Sequence, residues 1–358
     1  MKRTFAAALG LALMGGALVA PALSGAQSAS RPSTPLAVPL PAGRIDVLSY
    51  NVKGLPWPLA TGRPEALQAI GDRLAAMRAE GTAPQVVVLQ EAFTRDAEAI
   101  ARRSGYRYAA YGSGSDDPRP ESAAPIPVAP PSPWKGEGFS PWLSSGLIIL
   151  SDYPLSDIRR APFPEGACAG YDCLANKGML SARIHVPGVA LPVEIVTTHL
   201  NSGRPSGQPE PVSRPAYAAQ LRALADFVAA PGAPSAIRIL AGDFNVGHSP
   251  QRLALLAGTI RSVRARIATA QGRPKYAQGC RLSPHACRAA LALAANVPLT
   301  DANDWQFYAA AEGARAVPIR RQSLFGPDRQ GAQLSDHEGL SVTYRLEDRP
   351  GTPASHGA

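Results

Sequence analysis

The feature that most restricts the fold is a recurrence. Five apolar runs, spread between Ile45 and Tyr344, each border a carboxylate, amide or imidazole. Ile237 to Leu240 leads into Ala241-Gly242-Asp243-Phe244-Asn245; Ile45 to Ser49 into Tyr50-Asn51; Val86 to Leu89 into Gln90-Glu91; Ile195 to Thr197 into Thr198-His199-Leu200-Asn201. Ser335-Asp336-His337 precedes Leu340 to Tyr344. Short apolar runs that end in polar side chains read as buried strands delivering chemistry to one rim of a sheet. Asp243 and Asn245 are two apart, so an extended backbone points both to one side, and Gly242 is expected to let the chain bend closely around whatever they hold.

Helical spacing lies between the strands. Pro64 to Ala79 carries Leu67, Ile70, Leu74 and Met77, and further helices are expected at about Arg95–Arg103, Ala216–Ala229 and Pro250–Ala257. Other strands are expected at Tyr106–Tyr111, Gly146–Leu150, Met179–Val186, Val193–Thr198, Trp305–Ala309 and Val317–Arg321. This alternation predicts an α/β sandwich of two β-sheets with outer helices and function at one rim. Ser113 to Pro141 reads as a long loop ending in the aromatics Trp134, Phe139 and Trp142, which fit either a lipid interface, a substrate or packing onto the domain.

The N-terminus has the layout of a secretory signal peptide over residues 1–26: Met1-Lys2-Arg3, an apolar stretch from Phe5 to Ala20, then Ser24-Gly25-Ala26. A membrane anchor is the competing reading, but the stretch is short for a span and lacks a basic flank behind it. Export to the periplasm or outside the cell is therefore expected. A Pro-rich leader covers 27–43, one domain covers 44–347 and a loose tail 348–358. The formal charge of +9 becomes +7 when the two charges of Lys2 and Arg3 leave with the signal. A basic exported protein favours anionic partners such as phosphate groups, nucleic acid or acidic membranes, although the arginines here are scattered rather than clustered. Cys168 with Cys173 and Cys280 with Cys287 form two local pairs, which in an exported chain predicts two small disulfide loops. Zinc, with His285 beside Cys287, is the alternative, but neither pair has the usual two-residue gap.

The polar groups define a chemistry. Glu91, Asp243, Asp304 and Asp336 supply carboxylates, Asn51, Asn201 and Asn245 amides, and His199 and His337 imidazoles. Hard oxygen ligands with room for water suit Mg²⁺ or a close substitute. Imidazoles beside such an ion suit a reaction in which water loses a proton while charge grows on phosphate oxygens. Singly, each residue has an ordinary explanation as a cap, a turn or a surface group. Their joint occurrence at strand ends points to phosphoester hydrolysis.

The five motifs, in this order, resemble the endonuclease/exonuclease/phosphatase superfamily, whose Leu-Asp-Tyr element is replaced here by Asn303-Asp304-Trp305. The resemblance implies a deoxyribonuclease I-like, four-layer sandwich of two mostly antiparallel or mixed β-sheets flanked by helices. Asp172-Cys173-Leu174-Ala175-Asn176-Lys177-Gly178 is similar to the Asp-x-x-Ala-x-Lys-Gly stretch of neutral, Mg²⁺-dependent sphingomyelinases, as are Tyr153-Pro154-Leu155 and Arg214 to Gln220. The Trp-Cys-Asp-Arg signature of inositol-phosphate 5-phosphatases is not found, and no basic DNA-gripping arms are legible.

Carried over, the resemblance assigns Glu91, Asn51 and Asp336 to Mg²⁺, with Mn²⁺ or Co²⁺ as substitutes. His337, oriented by Asp304, would take the proton of water, and His199 and Asn245 would bind phosphoryl oxygens. Asp243 would manage a proton of water or leaving group, and Lys177, Asp172 and Asn201 would hold the substrate phosphate. It implies an exported, monomeric phosphodiesterase with no protein partner, converting sphingomyelin at a membrane surface to ceramide and phosphocholine. A secreted nuclease is the alternative. A catalytically dead binding protein would have lost a metal carboxylate or an imidazole, and none is missing.

Overall fold

The computed structural model describes residues 41–123, 125–126, 130–229, 236–262, 267–269, 303–309, 314–328 and 331–348. The expected signal peptide, nearly all of the leader, Cys280, Cys287, His285, most of the 261–297 insertion and the tail beyond Asp348 lie outside the described residues.

In chain order the elements are β1 (Arg44–Asn51), α1 (Arg63–Ala79), β2 (Val86–Gln90), α2 (Arg95–Arg103), β3 (Tyr108–Tyr111), β4 (Ile148–Ser151), β5 (Ser156–Pro162) and β6 (Gly178–Ile184). They continue with β7 (Val193–His199), α3 (Glu210–Ala229), β8 (Ile237–Asp243), α4 (Pro250–Ser262), β9 (Ile267–Thr269), β10 (Asp304–Ala309), β11 (Ala314–Leu324) and β12 (Gly339–Asp348). Two six-stranded sheets result, ordered β11-β12-β1-β2-β4-β3 and β5-β6-β7-β8-β10-β9. Each has one parallel pair near its centre, β1 with β2 and β7 with β8, and every other pairing is antiparallel. A parallel pair needs a crossover, supplied by α1 in one sheet and α3 in the other.

The sheets pack face to face over a core that includes Val47, Val88, Ile149, Leu180, Ile195, Ile239 and Val342. Leu67, Ile70, Leu74 and Ile100 seal α1 and α2 onto the first sheet, and Leu221, Leu224, Leu253 and Leu256 seal α3 and α4 onto the second. Four layers follow, in the sandwich expected from the sequence. The central strands are covered on both faces, which is why they read as unbroken apolar runs; each such Val or Leu contributes about 1.5–3 kcal/mol. Two glutamines cross the apolar interlayer. Gln306 Nε2 donates to the carbonyls of Val47 (3.0 Å) and Leu340 (2.7 Å), and Gln90 Nε2 to Thr197 Oγ1 (3.2 Å).

Departures from expectation have local causes. β5 was not expected, because Ser-Asp-Ile-Arg-Arg-Ala-Pro on an exposed edge strand shows no apolar alternation. α3 starts at Glu210 rather than Ala216, with Pro211 in its first turn, where a missing N–H costs little. α4 extends to Ser262 and β11 spans Ala314–Leu324; its Pro318 sits beside an irregularity in register, and β11 is an edge strand, where proline is tolerated. Cys168 and Cys173 are disulfide-bonded, as expected from their spacing.

Candidate active site

The parallel pairs place their ends together. Asn51 registers with Gln90, so β1 and β2 deliver Asn51 and Glu91 to one rim, and His199 registers with Asp243 at the ends of β7 and β8. β10 runs antiparallel to β8 with Asp304 opposite Asp243, and His337 enters just ahead of β12. The first sheet thus supplies Asn51, Glu91 and His337, and the second His199, Asp243 and Asp304. They meet across the sandwich: Asn51 Nδ2 donates to Glu91 Oε1 (2.9 Å) and to Asp243 Oδ2 (3.0 Å). His199 Nε2 lies 3.4 Å from Asp243 Oδ2, 3.9 Å from Glu91 Oε1 and 3.2 Å from Lys177 Nζ. His337 Nδ1 sits 2.6 Å from Asp304 Oδ2, with its Nε2 3.8 Å from Asp243 Oδ2.

The backbone is strained here. Lys53 (φ +50°), Glu91 (φ +56°) and Asn245 (φ +47°) are left-handed without being glycine, a conformation that persists only where surroundings impose it. Arg63 fixes the first turn, donating to the carbonyls of Lys53, Val52 and Leu334 at 2.7–2.8 Å. Gly242 has a different role from the bend expected of it. It remains within β8, and a Cβ there would stand 2.2 Å from the Thr198 carbonyl oxygen, so glycine is required for the close approach of β7.

Burial raises the Glu91 carboxyl above its ordinary value, and neighbouring Asp243 adds to the shift; burial raises Asp243 likewise, with Asp304 adding to it. Burial holds His199 well below its ordinary value, reinforced by the Lys177 and His337 charges, so its imidazole is neutral at neutral pH. At His337 burial opposes the charge, but the Asp304 carboxylate outweighs it and raises the proton affinity to about 10. These are opposite protonation states for two imidazoles in one rim.

A cation fits this arrangement. Glu91, His199 and Asp243 each offer a donor atom, all within 4.8 Å of one another. Two closely set carboxyls that both resist ionisation are a place where a positive ion stabilises one of them as carboxylate while the other keeps its proton. Carboxylate oxygens suit Mg²⁺, and the imidazole admits Mn²⁺ or Co²⁺.

The structure brings together Asn51, Glu91, Lys177, His199, Asp243, Asp304 and His337, and it gives other assigned residues different partners. Asn51 does not present an oxygen to this place: its Oδ1 accepts from Lys53 N (3.0 Å), and a half-turn of the amide would be needed to make it a ligand. Asp336 is instead ion-paired with Lys53 at 2.8 Å, its side chain 55% exposed, and the lysine overcomes burial and lowers its carboxyl. Asn201 is taken up by structure rather than by an open phosphate site, its Oδ1 accepting from Ala169 N (2.8 Å) and its Nδ2 donating to the Ser202 carbonyl (2.9 Å). Asn245 Nδ2 donates to the Leu200 carbonyl (2.9 Å), and its backbone N to Asp243 Oδ1 (2.9 Å). Asp172 pairs with buried Lys177 and accepts from Ser202 N and Oγ (2.9 and 2.5 Å).

Ser202, Arg63 and Arg252 also belong to the site's framework and were not singled out from the sequence. Arg252 had a signal: it interrupts an apolar helical stripe with Leu253, Leu256 and Ile260. A charged residue in such a stripe requires buried partners.

The aromatics of the long loop are exposed: Trp134 (94%), Trp142 (73%) and Phe139. Their segment is tied to the site, because Glu137 accepts from Gly170 N (2.5 Å) and Gln208 Nε2 (2.7 Å).

Residues 48–337 match the profile of the Endonuclease/Exonuclease/phosphatase family. A sphingomyelinase of Mycobacterium tuberculosis is 27% identical over 219 residues, 60% of this chain and 36% of the relative, so the chain spans about a third of the length of the curated relatives it matches. Among solved structures, a beta toxin variant from Staphylococcus aureus with bound magnesium ions superposes with a TM-score of 0.51 at 17% identity, covering 83% of this chain and 98% of that one. D. rerio TDP2 complexed with single-strand DNA product gives 0.50 at 18%, covering 84% and 98%. At such identities the likeness is one of fold, the deoxyribonuclease I-like sandwich.

Proposed function

We propose that this chain, which belongs to the endonuclease/exonuclease/phosphatase family, is a divalent-cation-dependent phosphodiesterase that cleaves the headgroup ester of a phospholipid, sphingomyelin above all. The family is one of phosphoesterases; the substrate is the finer step. The observation that carries it is the contact between sheets at the rim, where the Asn51 amide bridges Glu91 and Asp243 and places His199 and Lys177 alongside.

Mg²⁺ held by Glu91 and its neighbouring oxygens would neutralise charge on the phosphoryl group and lower the proton affinity of His337. Lys177, with Asp172 fixing its ammonium, faces the phosphoryl oxygens, and neutral His199 hydrogen-bonds them as charge develops. His337 takes the proton of the attacking water, and Asp304 stabilises the imidazolium that forms. Asp243, raised by burial, delivers a proton to the departing oxygen. Exposed Trp134 and Trp142 support a lipid surface as the place of action, since indole rings favour the membrane interface. The sequence of residues 1–26 supports export as its route there.

The basic charge fits a second reading equally well, a nuclease using the same side chains. The deciding experiment incubates the purified chain with sphingomyelin vesicles, bis(p-nitrophenyl) phosphate and single-strand DNA, each with Mg²⁺ and with EDTA. Phosphocholine release that EDTA abolishes is expected. DNA cleavage without phosphocholine release would replace the lipid reading, and activity in EDTA would remove the cation.

A further inference from the structure

We propose that Arg252 is a positioning residue that holds two strand-end turns of the rim in register, an inference resting on the phosphodiesterase reading above. Arg252 lies on α4 with its side chain 1% exposed. Its guanidinium has five N–H groups, and each finds an acceptor. Nε faces Glu210 Oε1 and Oε2 (3.2 and 3.1 Å). Nη1 donates to the carbonyls of Asn201 (2.5 Å) and Asn245 (3.1 Å), and Nη2 to the Ser202 carbonyl (3.1 Å) and Ser213 Oγ (3.0 Å). The Tyr217 ring lies under it at 4.5 Å.

What those carbonyls belong to gives the contact its meaning. Ser202 donates backbone N and Oγ to Asp172, Asp172 pairs with Lys177, and Lys177 Nζ stands 3.2 Å from His199 Nε2. Asn245, held left-handed at φ +47°, donates its backbone N to Asp243 Oδ1. One guanidinium is therefore joined to the turn after β7, which sets the lysine, and to the turn after β8, which sets the acid. The chain buries a charge to gather three carbonyls from the two turns, a costly choice for stability alone. The planar fork of arginine can do this and a lysine ammonium, with three donors on a flexible stem, cannot.

The test compares full-length wild type, Arg252→Lys and Ser213→Ala by thermal melting, by kcat and KM on bis(p-nitrophenyl) phosphate, and by Mn²⁺ affinity from electron paramagnetic resonance. For folded R252K, kcat is expected to fall about 10- to 100-fold with KM within about threefold, because small misplacement of reacting groups acts on the chemical step. Its Mn²⁺ affinity should weaken about threefold or more through the loosened Asp243 turn. S213A, which removes one acceptor, should lose about two- to fivefold in kcat on the same grounds. Folded R252K with wild-type kcat and Mn²⁺ affinity would overturn the proposal; if R252K does not fold, wild-type values in S213A would do so. Should wild type hydrolyse no phosphodiester at all, the functional reading fails, and the Mn²⁺ comparison still judges Arg252.

Discussion

His337 and Asp304 show how much of the chemistry rests on a single contact. The carboxylate at 2.6 Å makes the imidazole a strong base and fixes which nitrogen faces the rim. Asp304→Asn should lower kcat by about 10²- to 10⁴-fold. It should also move the His337 limb of the kcat/KM profile to lower pH, since loss of the anion weakens the hold on the proton; an unmoved limb would show that another group titrates. Away from the rim, Glu194 is buried between Arg159 (2.7 Å) and Arg238 (2.6 Å). Burial alone would raise its carboxyl, but the two arginines lower it below the ordinary carboxylate value. A depressed folded value means stability present above the ordinary value and lost as pH falls through the folded one. Glu194→Gln should cost about 1 kcal/mol at neutral pH, discounted because both arginines are partly solvated, and melting curves of variant and wild type should converge on acidification. That Glu91, His199, Asp243 and His337 gather at one rim was legible, because carboxylates and imidazoles at strand ends are unusual. Their orientation was not: Asn201 and Asn245 look alike in sequence, and which backbone carbonyl each amide meets depends on neighbours far along the chain.

Among the elements, the parallel pair β7–β8 carries a tight constraint. Any side chain at Gly242 would meet the Thr198 carbonyl oxygen at 2.2 Å, so Gly242→Ala must push the strands apart or twist β8 at the residue before Asp243. A loss of about 3 kcal/mol in stability is expected, measurable by denaturant unfolding, together with loss of turnover. Unchanged stability would mean that β7 can retreat freely. Central strands were legible from their apolar runs because both faces are covered. The edge strand β5 was not, since Asp157, Ile158 and Arg159 meet solvent or polar partners such as Arg183 and Glu194 and present no apolar face. The start of α3 was hidden by its prolines, which mark a helix end as often as a beginning.

Across the whole molecule, the proposed catalysis depends on how one sheet sits on the other, since Glu91 and Asp243 belong to different sheets. Apolar packing between sheets resists separation more than sliding, whereas the Gln306 amide, bonded to Val47 and Leu340 across the interlayer, is directional. Gln306→Met should leave a folded protein with about tenfold lower kcat, because displacing the two half-sites by a fraction of an ångström affects the reacting geometry first. Full activity would show that packing alone fixes the register. At the outer surface, Trp134→Ala with Trp142→Ala should weaken sedimentation with sphingomyelin vesicles while hydrolysis of bis(p-nitrophenyl) phosphate is retained; equal losses on both would count against an interfacial role. The order of motifs announced the fold, but which strand belongs to which sheet was beyond the sequence, because sheet membership is decided by crossovers and not by the strands themselves.

The place of β12 carries one more implication. The last of the described strands is inserted between β11 and β1, and His337 lies just ahead of it. A growing polypeptide therefore has β1 paired on its β2 side alone, and Asp304 without His337, until β12 has been made, so assembly of the rim waits for that strand.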